Sequence, residues 1–223
     1  DPISSVLDPV RGFLYVFPRV GGYFWVVDVR DDSDGDFDDL NVDDLEAVVL
    51  LDSVNSAFGT REGVIGPDGR LFLAAGRPDE IMVIDPSFLV DDGLKQLHRV
   101  SALGVLPMRD ADSDAGPASG TVIGPIGLDL SPDGRTLVAS HWRDDSIWIF
   151  DVTRGPVGGL VRRIPHATQN PNTVRISPDG RFAVVAGFVG DAIDQLPSAE
   201  LVFVDLDPSS PSYLEIRTVL GNR

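Results

Sequence analysis

The chain of 223 residues contains no cysteine. Disulfides, thiolate zinc sites, a cysteine nucleophile and a C-x-x-C-H haem attachment are therefore excluded. No apolar run approaches the roughly 18 residues that a membrane-spanning helix needs. Bases are scarce: 18 Lys and Arg stand against 35 Asp and Glu, a net charge of −17 that repels nucleic acid and anionic membrane surfaces. Helical periodicity is nearly missing, and only 86–97 has room for a short helical turn. There is no nucleophile-elbow G-x-S-x-G, phosphate loop or dinucleotide fingerprint. What remains is an apolar, glycine- and proline-rich composition, 43% hydrophobic with 23 Gly and 17 Pro, sufficient to build a β-rich core.

The acidity is local. Ten acidic residues and one arginine lie between Asp28 and Glu46, and without that stretch the chain carries 25 acidic and 17 basic residues, a net −8. The first residue is Asp1 and not Met, as in a processed product that has lost a secretion signal, or in a trimmed piece.

An internal repeat organises the whole sequence. GLDLSPDGRTLVAS from Gly127 to Ser140 matches TVRISPDGRFAVVA from Thr173 to Ala186 almost position for position. GVIGPDGRLFLAA from Gly63 to Ala75 is a third copy, and SVLDPVRGFLYV from Ser5 to Val16 a degenerate fourth with an altered turn. Each reads as strand, tight turn, strand: Pro presets φ, Asp suits the next position, and Gly accepts the left-handed conformation that closes the hairpin. A third strand follows each hairpin (YFWVVD, EIMVID, SIWIFD, ELVFVD), always ending in Asp. A fourth strand is expected within 47–51, 99–106, 160–164 and 214–220. Four antiparallel strands, repeated every 46 to 65 residues as judged by Pro9, Pro67, Pro132 and Pro178, predict an all-β propeller with four blades in this chain, near 1–54, 55–115, 116–165 and 166–223. A β-sandwich has short strands too, but does not repeat one turn at one place. Trp25 and Trp148 fall at corresponding positions and are assigned to packing between blades.

The S-P-D-G-R turns, with S-hydrophobic-W-hydrophobic-hydrophobic-D after them, resemble the YVTN-type family of bacterial propellers across essentially the whole chain, most strongly at 124–152 and 171–205. The resemblance implies a disc with any ligand at one end of a central channel. It is specific for fold and weak for function, since relatives include surface-layer proteins, lactonases and the propeller parts of haem and quinone enzymes. Such blades usually close as seven or so. Four leave three options: a compact ring, a fragment of a longer propeller, or a half that associates with another chain. Fragment or half is the expectation, because two apolar blade faces need cover.

Asp32, Asp34, Asp36 and Asp38 alternate in DSDGDFDD, as do Asp110, Asp112 and Asp114 in DADSD. Calcium takes six to eight oxygens, and alternating carboxylates in a tight loop turn several inward. The glycine sits at the fourth position of the first loop and not the sixth, and the competing interpretation is a solvated loop. For ligand binding the candidates are the approaches to the innermost strands and the neighbouring loop: Arg61, Glu62, His141, His166, Gln169, Asn170 and Asn172. A hydrolytic site requires a carboxylate and a base to converge there, and Glu62 with His166 is one such pair; ordinary polar loop residues are the competing interpretation. The main functional expectation is a non-enzymatic binding or scaffold propeller, extracellular or periplasmic, calcium-stabilised, and completed by another protein chain or by missing blades of the same propeller. The alternative is a lactonase-like hydrolase or the propeller portion of a redox enzyme.

Overall fold

The computed structural model describes residues 2–18, 22–29, 45–51, 60–75, 80–88, 96–100, 103–108, 124–189 and 198–221. They form four sheets in chain order. Blade one is β1 (Pro2–Asp8), β2 (Phe13–Pro18), β3 (Tyr23–Asp28) and β4 (Leu45–Leu51); blade two has β5 (Thr60–Ile65), β6 (Leu71–Ala75) and β7 (Glu80–Ile84). A 3-10 turn, Pro86–Phe88, follows, then β8 (Gln96–Val100) and β9 (Gly104–Pro107). Blade three is β10 (Pro125–Leu130), β11 (Thr136–His141), β12 (Ser146–Asp151) and β13 (Gly159–Ile164). Blade four is β14 (Pro171–Ile176), β15 (Phe182–Val189), β16 (Ser198–Asp205) and β17 (Ile216–Gly221).

The repeated turn has a local cause. Ser131 Oγ donates to Asp133 Oδ1 and accepts from the backbone N–H groups of Arg135 and Thr136, while Gly134 takes φ +69° and donates its N–H to Ser131 O. Ser177, Asp179 and Gly180 repeat this arrangement in blade four. The aspartates that end the third strands are caps as well: Asp85, Asp151 and Asp205 accept the N–H two residues on, from Ser87, Thr153 and Asp207. Both signatures are turn chemistry that a repeating sheet must satisfy at each corner.

Strand alternation then sends one side chain set to each neighbouring blade. Phe13, Tyr15, Phe17, Phe24 and Val26 of blade one pack on Leu71, Leu73, Met82 and Ile84 of blade two. Phe72, Ala74, Ile81 and Val83 meet Leu137, Ala139, Trp148 and Phe150, and Val138, Ile147 and Ile149 meet Val174, Ala183, Val185, Val202 and Val204. Trp148 is therefore an inter-blade residue, as expected; Trp25 is half-buried on the opposite side of blade one. Three buried junctions join four blades, and among the described residues none joins blade four to blade one.

One strand expectation is corrected. Residues 99–106 do not form a single fourth strand of blade two. β9 pairs antiparallel with β7, whereas β8 crosses back and pairs parallel with β4, making blade one five-stranded. The outermost strand of a blade presents unpaired backbone groups, and the segment after the 3-10 turn satisfies those of β4.

Candidate active site in the channel wall

The innermost strands β1, β5, β10 and β14 lie side by side without forming a common ladder. Their backbone groups are joined instead by side chains. Glu62, in the middle of β5, accepts the N–H of Leu128 on β10 at Oε2, 3.0 Å. Its other oxygen, Oε1, accepts from Arg175 Nη1 of β14 at 3.1 Å, so one carboxylate links blades two, three and four. Asp129 of β10 does the same one blade on: Oδ2 accepts from Ile176 N at 2.6 Å, and Oδ1 from Leu130 N. Higher in the strands, Ser140 Oγ accepts from Gly127 N and donates to Asn172 O. Gly127 is required there, because a Cβ would lie 2.4 Å from Asn172 O.

The surroundings of Glu62 perturb its carboxyl. Burial raises the pKa of its carboxyl above the ordinary range, and the hydrogen bond from Leu128 and the charge of Arg175 offset this only in part. The Glu62 side chain keeps 17% exposure and that of Arg175 62%, so the pair meets at the boundary between wall and solvent. A carboxylate with raised proton affinity can take a proton from water, and a guanidinium beside it can face a developing negative charge. At the turn-side end of these strands a cavity of about 560 Å3 opens among Asp8, Arg11, Asp68 and Asp129. Asp8 is committed there to Arg11 and Tyr15; burial raises its pKa, and those hydrogen bonds outweigh it and lower it.

The other expected residues are dispersed. Arg61 is half-buried in β5 next to Glu62, within the strand and not in an approach to it. His141 ends β11, is buried, and holds Nδ1 3.0 Å from Asp144 Oδ1, whereas its Nε2 has no partner among the described residues. His166 is exposed in the turn before β14 with φ 50°. Asn170 serves that turn: its N–H donates to Asp145 Oδ1 and its Nδ2 to Phe188 O. Gln169 is exposed, with its carbonyl against Gly187, and Asn172 lies in β14. The structure pairs Glu62 with Arg175 and not with His166. Arg175 and Asp129 were missed, although a signal existed: Val64, Asp129 and Arg175 share one repeat position, and a position holding an aliphatic residue and both signs of charge is not a core position. The acidic tracts with Asp32, Asp34, Asp36, Asp38, Asp110, Asp112 and Asp114 lie outside the described residues. Among the described residues no three His, Asp or Glu are grouped to hold a metal, and no helix is long and apolar enough to cross a membrane.

No curated protein matches the sequence. Among solved structures the chain is similar to Kuenenia stuttgartiensis hydrazine synthase, with TM-score 0.66 and 17% identity over 99% of this chain and 49% of that one. It is also similar to two candidate 6-phosphogluconolactonases. The one from Bacteroides uniformis has TM-score 0.65 and 15% identity, covering 98% of this chain and 56% of that one. The one from Bacteroides fragilis has TM-score 0.62 and 14% identity with the same coverage, 98% and 56%. At these identities the likeness shows the fold, and the chain spans about half the length of these structures. The family model for the lactonase seven-bladed β-propeller matches residues 39–195, most of the chain and the greater part of three of its blades, and the chain belongs to that family.

Proposed function

We propose that these four blades form part of a lactonase-like hydrolase whose reaction takes place at the channel wall around Glu62 and Arg175. The carrying observation is the Glu62 carboxylate, partly buried, raised in pKa and held against a solvent-facing guanidinium in a propeller of the lactonase family. In the proposed reaction Glu62 takes a proton from water as the water oxygen bonds to the lactone carbonyl carbon. Arg175, released from Glu62 by the substrate, faces the oxyanion. The ring C–O bond then breaks, the proton passes to the leaving alkoxide, and a hydroxy acid departs. The family match favours this over the non-enzymatic scaffold. The repeat details that resemble YVTN-type propellers are compatible with it, because the S-P-D-G turn is an element of blade construction.

The test is pH-stat titration of a panel of γ- and δ-lactones, with and without a phosphate or carboxylate substituent, after subtraction of spontaneous hydrolysis. Wild-type protein is expected to exceed the spontaneous rate for at least one member, and Glu62→Gln to lose about 10²-fold or more of the excess. No excess for any lactone, or full activity in Glu62→Gln, overturns the proposal.

A further inference from the structure

Asp129 and Glu62 both bridge blades, but from different positions of the repeat. Aligned on their turns, Leu130 is equivalent to Ile176 and Asp129 to Val64, whereas Glu62 is equivalent to Gly127. Val64 packs on the apolar junction between blades two and three, so the fold does not call for a charge at this position. Asp129 serves two equivalent N–H groups at once: Oδ1 accepts from Leu130 N of its own strand at 2.9 Å, and Oδ2 from Ile176 N of β14 at 2.6 Å. A carboxylate holds a backbone N–H about twice as strongly as a neutral acceptor does. The Ile176 N–H lies in the peptide plane that joins it to Arg175, so this bond fixes the backbone from which the Arg175 side chain departs. That side chain is 62% exposed, and among the described residues its remaining holds are at Nη1, which donates to Glu62 Oε1 at 3.1 Å and to Val174 O at 2.5 Å.

We propose that Asp129 is the positioning residue of the Glu62–Arg175 pair: it anchors β14 at the residue after Arg175 and so keeps the guanidinium aimed at a carboxylate two blades away. The inference rests on Glu62 and Arg175 being the reacting pair. In that reaction substrate separates Arg175 from Glu62, and the guanidinium is then placed by its own strand, which makes the anchor at Ile176 N matter most as the oxyanion forms. Asp129 acts through these two groups and not on the substrate. Its charge reaches Glu62 as well. Burial is the largest cause of the raised proton affinity of Glu62; of the charged groups facing it among the described residues, Arg175 of β14 opposes the rise and Asp129 of β10 adds to it.

Asp129→Asn keeps an oxygen that can accept the Ile176 N–H and removes the charge, whereas Asp129→Leu removes both. Hydrogen exchange of the Ile176 amide and titration of the Glu62 carboxyl carbon, both followed by NMR with Glu62→Gln for assignment, read the two effects without any turnover. Asp129→Leu is expected to speed Ile176 exchange about 10-fold or more, and Asp129→Asn by a smaller factor. In Asp129→Asn the Glu62 titration is expected at lower pH, because a raising charge is gone while the anchor stays; a merely structural role would not move it. With a lactone that is turned over, Asp129→Leu should lose about 10-fold or more of kcat/KM, and Asp129→Asn should recover most of that loss. A Glu62 titration unmoved in Asp129→Asn overturns the proposal, as does Ile176 exchange or a rate indifferent to Asp129→Leu. If Asp129→Leu fails to fold, the titration in Asp129→Asn decides alone. Both NMR results in a protein that hydrolyses no lactone uphold the anchor and overturn the reaction, whereas turnover through Glu62 with an unmoved titration overturns the anchor and leaves the reaction standing.

Discussion

Replacing Asp144 by Asn measures how much of the third blade's stability rests on one carboxylate. Asp144 lies in the turn between β11 and β12; Oδ1 is 3.0 Å from His141 Nδ1 and accepts from Ser146 Oγ, and Oδ2 accepts from Arg163 Nη2 at 2.8 Å. Ser146 Oγ in turn accepts from Trp148 Nε1 at 2.6 Å, and the Arg163 guanidinium lies over the Trp148 ring. The carboxylate therefore positions the tryptophan that fills the junction between blades two and three. Burial raises its pKa, but His141, Ser146 and Arg163 outweigh burial and bring it from an ordinary 3.8 to about 2. A displacement of that size corresponds to about 2.4 kcal/mol without screening. With 29% of the side chain facing water, about 1 to 1.5 kcal/mol is the working value. Asn also turns an amide N–H₂ toward one of the donors, adding about 1 kcal/mol for a lost hydrogen bond. At pH 7 the variant should be about 2 kcal/mol less stable, read from urea unfolding followed by tryptophan fluorescence. The folded state holds this proton less tightly than the unfolded chain, so the stabilisation is full above about pH 4 and is lost as pH falls toward 2. The gap between wild type and Asp144→Asn should therefore narrow strongly by pH 2. An equal gap at both pH values, or none at pH 7, refutes the reasoning.

Three further outcomes follow from the same geometry. Gly127→Ala places a Cβ 2.4 Å from Asn172 O and 3.0 Å from Val174 N, forcing β10 from β14; a loss of about 2 to 4 kcal/mol or failure to fold is expected by thermal unfolding, and a near-neutral change contradicts the close approach. Arg70 crosses from blade two to donate to Val152 O and Pro156 O of blade three, both at 2.9 Å, so Arg70→Met should cost about 1 to 3 kcal/mol in urea unfolding, whereas Arg135→Met, an exposed residue at the same turn position, should cost less than about 0.5. The alternating carboxylates of 32–38 and 110–114 lead to the expectation that millimolar calcium raises Tm and a chelator reverses the rise; an unchanged Tm ends that expectation.

The fold was legible because its repeating parts are local. Ser131, Asp133 and Gly134 satisfy one another within a few residues, so their recurrence at Ser177, Asp179 and Gly180 marks the same hairpin, and the strand-end aspartates mark the same corner. The path of β8 was not legible, since pairing with β4 depends on where the outer edge of blade one lies once the sheets have stacked. The site was half legible. Glu62 stood out as a charge at the entry to an innermost strand, but its side-chain partner Arg175 lies two blades away, and the two side chains meet only once the blades have stacked. His166 and Asn170 drew attention as polar loop residues, and both have left-handed backbone in that turn; Asn170 bonds it to Asp145 and Phe188.

The most direct measurement of the proposed chemistry is the pH dependence of kcat/KM for the best lactone, in wild type and Arg175→Met. The rising limb should reflect Glu62 and lie above the ordinary carboxylate range, because burial raises its pKa. Removing the guanidinium that holds the pKa down should move that limb to still higher pH while lowering kcat/KM. A limb at the ordinary carboxylate value that stays put in Arg175→Met, or a rate indifferent to both residues, would contradict a reaction at this wall.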